Sequence, residues 1–217
     1  MGQRAGCDAL AATGRIRLIE LSGEKVFLVE LRLHRAKHEV GVVETQMLLD
    51  LFTMREAKDS LDGLNVTMVG DLKYGRTVHT LAQALTNFGV KLTLVAPESL
   101  QMPQDIVDRL KRNGCVPRKT SVLEDVIGDA DVLYVTRIQR ERFPDPAEYQ
   151  KVAGTYRIDN AMLRNAKDDM IVMHPLPRVN EIATEVDSTP HARYFQQAFN
   201  GVPVRMAILC AILGGDI

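Results

Sequence analysis

The chain has 217 residues, 46% of them hydrophobic and 25% charged, and a formal net charge of -1. That suits one large globular domain, or one and a half small ones, with a sizeable core and no general reason to bind nucleic acid or an acidic membrane. No run of eighteen apolar residues offers a membrane span, the opening MGQRAGCDALAATG lacks the apolar stretch of a secretory signal, and Cys7, Cys115 and Cys210 are too scattered for a disulfide framework or a Cys-based zinc site, so a cytoplasmic protein is expected.

In chain order, RIRLIEL (15–21) and KVFLVELRL (25–33) are β-branched and apolar around a Ser22-Gly23-Glu24 turn, which suggests a hairpin. HRAKHE (34–39) reads as a solvated edge or linker, or as a short basic patch. The character changes near residue 45. TQMLLDLFTMREAKDS (45–60) has apolar positions at helical spacing. NVTMVG (65–70) is a buried strand, and 77–88 a helix closed by Gly89. KLTLVAP (91–97) is the next strand. PQDIVDRLKRNG (103–114) is a helix with proline at its start and glycine after its end. PRKTS (117–121) suits an edge strand, VLEDVIGD (122–129) a short helix, and DVLYVTR (131–137) a strand. One or two helices fall in 148–167, MIVMHP (170–175) is a strand stopped by proline, and 190–212 is a terminal helical region. Strands alternating with helices predict an α/β fold: a parallel sheet flanked by helices, with ligands at the carboxyl ends of its strands.

Three strand ends carry chemistry. The first is followed by Gly70-Asp71-Leu72-Lys73-Tyr74-Gly75-Arg76-Thr77, which is neither GxGxxG nor a P-loop. A cation, Arg76, stands where a helix begins and the macrodipole already favours anions. It is either an exposed arginine paired with Asp71 or part of an anion site. The second is followed by Thr136-Arg137-Ile138-Gln139-Arg140-Glu141-Arg142. Strand alternation sends Arg137 and Gln139 to one side, where a guanidinium fork suits a carboxylate. Arg140 and Arg142 read as a solvated loop. The third is followed by His174-Pro175-Leu176-Pro177-Arg178, a stretch stiffened by two prolines. The remaining histidines have no partner at ligand spacing, so neither a metal nor a cofactor is expected, and no nucleophile for a covalent step stands out. The three ends describe a pocket for a small dianion.

VGDLKYGRTVH (69–79), TRIQRERF (136–143), TQMLLDLF (45–52) and MHPLPRVNEIATEVDSTPHARYFQQAFNGVPVRMAIL (173–209) together resemble the catalytic chain of the aspartate carbamoyltransferase family. The ornithine sisters carry a cysteine in the HPLP position and lack DLKYGRT and TRIQ. The resemblance spans about 45–213. It implies a Rossmann-like aspartate-binding domain over 45–217, with an interdomain helix at 45–58 and a C-terminal helix at 190–213, preceded by an unrelated segment, 1–44. It implies transfer of a carbamoyl group from carbamoyl phosphate to L-aspartate, the committed step of pyrimidine synthesis. Arg76, Arg137 and Gln139 would bind aspartate. Gln46 and the backbone of Pro175, Leu176 and Pro177 would receive the carbamoyl group, with the Leu176–Pro177 bond cis. Glu141 would help close the loop around 138–150. Family members form homotrimers with shared active sites, some with zinc-bearing regulatory chains.

The family's chain is longer, and its Ser-Thr-Arg-Thr phosphate box is missing from this sequence; its His-Pro-Thr-Gln motif survives only as Thr45-Gln46, with Val43 in place of the histidine. The expectation is an incomplete carbamoyl-phosphate site and little turnover alone. The rival expectation is a non-catalytic dicarboxylate-binding or assembly fragment. A nicotinamide or nucleotide enzyme is disfavoured by the missing glycine fingerprint. The apolar run 204–213 needs a cover, and 15–33 is the candidate.

Overall fold

The structure is a computed structural model and describes residues 45–213; the expected hairpin over 15–33, its cover for the last helix and the basic patch at 34–39 lie outside them. Five short strands carry the fold: β1 (Asn65–Val69), β2 (Lys91–Val95), β3 (Arg118–Thr120), β4 (Val132–Val135) and β5 (Ile171–Met173). All neighbours pair in parallel, in the order β3-β2-β1-β4-β5. The chain therefore winds outward from β1 to the β3 edge, then returns to add β4 and β5 on the other side of β1. The reversal point lies between β1 and β4, where an open parallel sheet leaves a crevice.

Side-chain alternation splits each central strand between two cores. Val66 and Met68 of β1, Val132 and Tyr134 of β4, and Ile171 and Met173 of β5 enter one core. That core is closed by α1 (Thr45–Lys58), α2 (Arg76–Leu85) and α3 (Gln104–Arg112), through Leu51, Met54, Leu81, Leu85 and Leu110. Val69, Leu133, Val135 and Val172 enter the other, covered by Ile127, Ile158, Leu163, Val186 and Tyr194. Burial on both faces explains why these strands read as continuous apolar runs rather than as alternating ones.

The remaining helices are α4 (Pro146–Val152), α5 (Asn160–Leu163) and α6 (Tyr194–Leu213). Asp145 caps α4 by accepting from the Ala147 N–H at 2.8 Å, and Asp159 caps α5 by accepting from Met162 at 2.9 Å. Helix α1 packs against α6 and α2. Its apolar positions are buried on several sides at once, so it shows no clean amphipathic stripe.

Three expected boundaries shift. The helix expected over 122–129 is only a 3-10 turn at Ile127–Asp129, because Leu123, Val126 and Ile127 are all pulled onto the sheet. Helix α4 starts earlier than 148, at its Asp145-Pro146 cap. Helix α6 starts at Tyr194, later than 190, because Val172 and Ala192 form a β-bridge just before it.

Candidate active site

The loops after β1, β4 and β5 meet the first turn of α1 around a cavity of about 350 Å3. Gln46, Arg76, Arg137, Gln139, Pro175, Leu176 and Pro177 all line it, together with Asp71, Thr136, Arg142 and His174. Seven of the eight expected site residues are thus brought together from four parts of the sequence. Glu141 is not among them. It is exposed, holds the Arg137 guanidinium at 2.9 Å, and borders a smaller cavity of about 220 Å3 beside Tyr149 and Tyr156.

The β1 loop leaves the strand at Gly70, whose φ is +116°. A Cβ there would stand 2.3 Å from the Thr136 carbonyl oxygen, so only glycine lets the β1 and β4 loops approach this closely. Asp71 then shapes the turn into α2: its Oδ1 accepts from the N–H groups of Lys73 and Tyr74, at 3.2 and 2.9 Å. Its Oδ2 is buried without a hydrogen bond and faces the Arg142 guanidinium at 3.6 Å. Burial pushes the Asp71 carboxyl up from its ordinary value, against the pull of the Tyr74 N–H and Arg142.

Arg142 is thereby corrected: it does not stand in a solvated loop but reaches back over the site. A ring stack reinforces this clasp. Phe143 meets Tyr74 edge-on at 6.3 Å and Tyr149 at 5.6 Å, joining the β4 loop to the β1 loop and to α4.

The β5 loop is framed from below. The His174 ring is buried, accepts the Leu176 N–H on Nδ1 at 2.8 Å, and has Nε2 2.8 Å from Glu181 Oε1. Acceptance at Nδ1 places the proton of the neutral ring on Nε2, which donates to Glu181. Glu181 is partly buried, which alone would raise its carboxyl, but the His174 bond and nearby N–H groups hold it below the ordinary value. Leu176 sits at φ +49°, a region that costs a non-glycine residue about 1–2 kcal/mol. Its bond to the His174 ring helps to hold it there. The Leu176–Pro177 peptide is cis, as expected. At the far end, Arg178 makes a paired contact with Asp187 and lies over the Tyr194 ring, which ties the loop to α6.

Beneath the cavity lies a residue with no signal in the sequence. Asp50 is fully buried in α1. Its Oδ1 accepts from Gln46 Nε2 at 2.8 Å and Gln197 Nε2 at 2.7 Å, and its Oδ2 from the Tyr134 hydroxyl at 2.8 Å. Gln197 in turn accepts the His174 N–H at 2.8 Å. Burial pushes the Asp50 carboxyl up to about 7, against the pull of Tyr134, Gln197, Gln46 and, from further off, Arg205. In sequence it was one acidic residue between leucines, and only tertiary contacts reveal its partners.

The site therefore places three arginines, two amide side chains and a rigid proline loop at the reversal point of a parallel sheet. Residues 62–212 match the sequence pattern of the aspartate/ornithine carbamoyltransferase Asp/Orn binding domain. The chain belongs to the aspartate/ornithine carbamoyltransferase family. It is 64% identical over 174 residues to a protein of Methanocella arvoryzae named aspartate carbamoyltransferase catalytic subunit, covering 80% of this chain and 56% of that one. A Thermococcus onnurineus protein of the same name is 56% identical over 170 residues, covering 78% of this chain and 55% of that one. The chain thus spans little more than half the length of these carbamoyltransferase relatives. Among solved structures, the catalytic subunit of the M. jannaschii aspartate transcarbamoylase superposes with a TM-score of 0.71 at 51% identity, over 76% of this chain and 54% of that one. The Trypanosoma cruzi aspartate transcarbamoylase in complex with carbamoyl phosphate and aspartate gives 0.72 at 46% identity, over 76% and 55%.

Proposed function

We propose that this chain carries the aspartate-binding half of an aspartate carbamoyltransferase active site. The observation that carries the reading is the convergence of Arg76, Arg137, Gln139, Gln46 and the 175–177 loop on one cavity. Arg76 and Arg137, with Gln139, take the carboxylates of L-aspartate. Gln46 and the Pro175–Pro177 backbone receive the carbamoyl group and the amine. The free amine nitrogen forms a bond to the carbamoyl carbon of carbamoyl phosphate, and as the tetrahedral intermediate breaks its C–O bond the amine's proton passes to the departing phosphate, leaving N-carbamoyl-L-aspartate and hydrogen phosphate. The residues of this cavity act by positioning and by matching charge. Glu141, already on Arg137, steadies the loop as it closes.

The same reading makes 45–217 the aspartate domain, with α1 as the helix that joins it to a carbamoyl-phosphate domain. It also implies cytoplasmic pyrimidine synthesis and a homotrimer of catalytic chains, with zinc-bearing regulatory chains in some assemblies. The names of the relatives and the substrates in the T. cruzi complex support it.

The test is to incubate the purified chain with carbamoyl phosphate and L-aspartate, follow N-carbamoyl-L-aspartate, and measure protection from unfolding by succinate. Protection without product is the outcome expected of the aspartate half alone. Product formation would mean that this polypeptide completes the phosphate site. The absence of both product and protection would contradict the reading.

A further inference from the structure

We infer that Asp50 is a positioning residue, which turns the Gln46 amide so that its carbonyl oxygen, not its NH2, faces the carbamoyl group. This rests on the reading of the cavity given above. Gln46 stands one helical turn before Asp50, at the spacing that lets the two side chains meet on one face of α1. A glutamine amide can present either end to a ligand. Here one N–H of the NH2 donates to Asp50 Oδ1 at 2.8 Å, which fixes the direction of the amide and turns Oε1 toward the cavity that Gln46 lines. A carbamoyl NH2 is a donor, so an acceptor is what it requires.

The same Oδ1 also takes the Gln197 NH2, and this turns the Gln197 oxygen onto the N–H of His174. One carboxylate therefore sets two amides. One faces the cavity directly, and the other braces the start of the 174–177 loop that forms the opposite wall. The residue type fits this task. Oδ1 accepts from both amides while Oδ2 takes the Tyr134 hydroxyl, and an ionised carboxyl has no wrong way round, whereas an amide in its place has one. The surroundings fit as well. Asp50 lies in an apolar run, Leu48-Leu49-Asp50-Leu51-Phe52, where a leucine would pack without desolvating a charge.

The test uses two ligands that differ at the reacting end. Succinate carries only the carboxylates; N-carbamoyl-L-aspartate adds the carbamoyl group. In Asp50→Leu, affinity for N-carbamoyl-L-aspartate should fall about tenfold, the effect of losing one well-placed hydrogen bond, while succinate stays within about twofold. Asp50→Asn, whose oxygen can still accept from both glutamines, should restore most of the loss. Equal weakening of both ligands, or of neither, would overturn the assignment and leave Asp50 with a purely structural role. Succinate binding without N-carbamoyl-L-aspartate binding in the unaltered chain would overturn the assignment alone; binding of neither would overturn the aspartate-site reading with it. Should Asp50→Leu fail to fold, the Gln46 side-chain amide protons of the unaltered chain decide. The proton donated to Asp50 should exchange slowly with solvent, in the free chain and with N-carbamoyl-L-aspartate bound. Fast exchange, or release from Asp50 on binding, would refute the assignment.

Discussion

Asp50 also gives the fold a pH dependence of unusual sign. Its carboxyl stands at about 7 in the folded chain against an ordinary 3.8, because burial outweighs the donors around it. Those neighbours are Gln46 on its own helix, Tyr134 from β4, and Gln197 and Arg205 from α6. The folded chain thus holds this proton more tightly than the unfolded chain, so stability falls as pH rises from about 3.8 to about 7 and then levels. Asp131, Glu181 and Asp187 are held below their ordinary values. Their contribution has the opposite sign and is lost only as pH falls through the acid range. Denaturant unfolding at about pH 5 and about pH 7.5 should therefore show a smaller loss of stability in Asp50→Asn than in the unaltered chain. An equal loss would place Asp50's titration elsewhere. At this scale the sequence revealed the residues that stand directly at strand ends, such as Arg76, Arg137 and Gln139. It hid Asp50 and Arg142, because an acidic residue in a helix or an arginine in a polar loop reads as a solvated charge until its partners are known.

The elements were legible where composition changes sharply. Each strand but β3 is an apolar run, and glycine or proline bounds several of them, which survives any context. The edge strand β3, Arg-Lys-Thr, was legible within 117–121 although it carries no apolar run. The 3-10 turn at 127–129 and the late start of α6 were not, because contacts with the sheet and the 172–192 bridge decide them. The β1 and β4 loops approach closely at Gly70. Gly70→Ala combines a positive φ with a 2.3 Å clash on backbone that cannot turn aside. It should destabilise the fold by about 3 kcal/mol or more, as overpacking and backbone strain together do. The measurement is chemical denaturation, and a change below about 1 kcal/mol would show that the two loops can part at little cost.

Across the whole molecule, the described residues leave one face of α6 bare. Phe195, Phe199, Val202, Met206, Leu209 and Leu213 are each more than half exposed, at alternating spacings of four and three. They form one apolar stripe along a helix, while the opposite side packs on α1 through Val204, Leu49 and Phe52. A stripe of this kind favours association. The chain should elute larger at high concentration than at low, and Phe199→Glu with Met206→Glu should reduce that dependence without changing the helix content. A size independent of concentration in the unaltered chain would mean that the stripe is covered. Among the described residues, no helix is long and apolar enough to cross a membrane. The two-sided parallel sheet and the carboxyl ends of its strands as the place of the cavity were readable from the alternation of elements, whereas the reversal point between β1 and β4 follows only from the strand order that pairing sets. That a dicarboxylate is held there by Arg76 at the start of α2 and Arg137 after β4 is tested most directly by calorimetric titration of the chain and of Arg137→Ala with succinate. Saturable binding in the first, weakened about tenfold or more in the second, is the predicted result. Equal binding by both, or none by the unaltered chain, would contradict it.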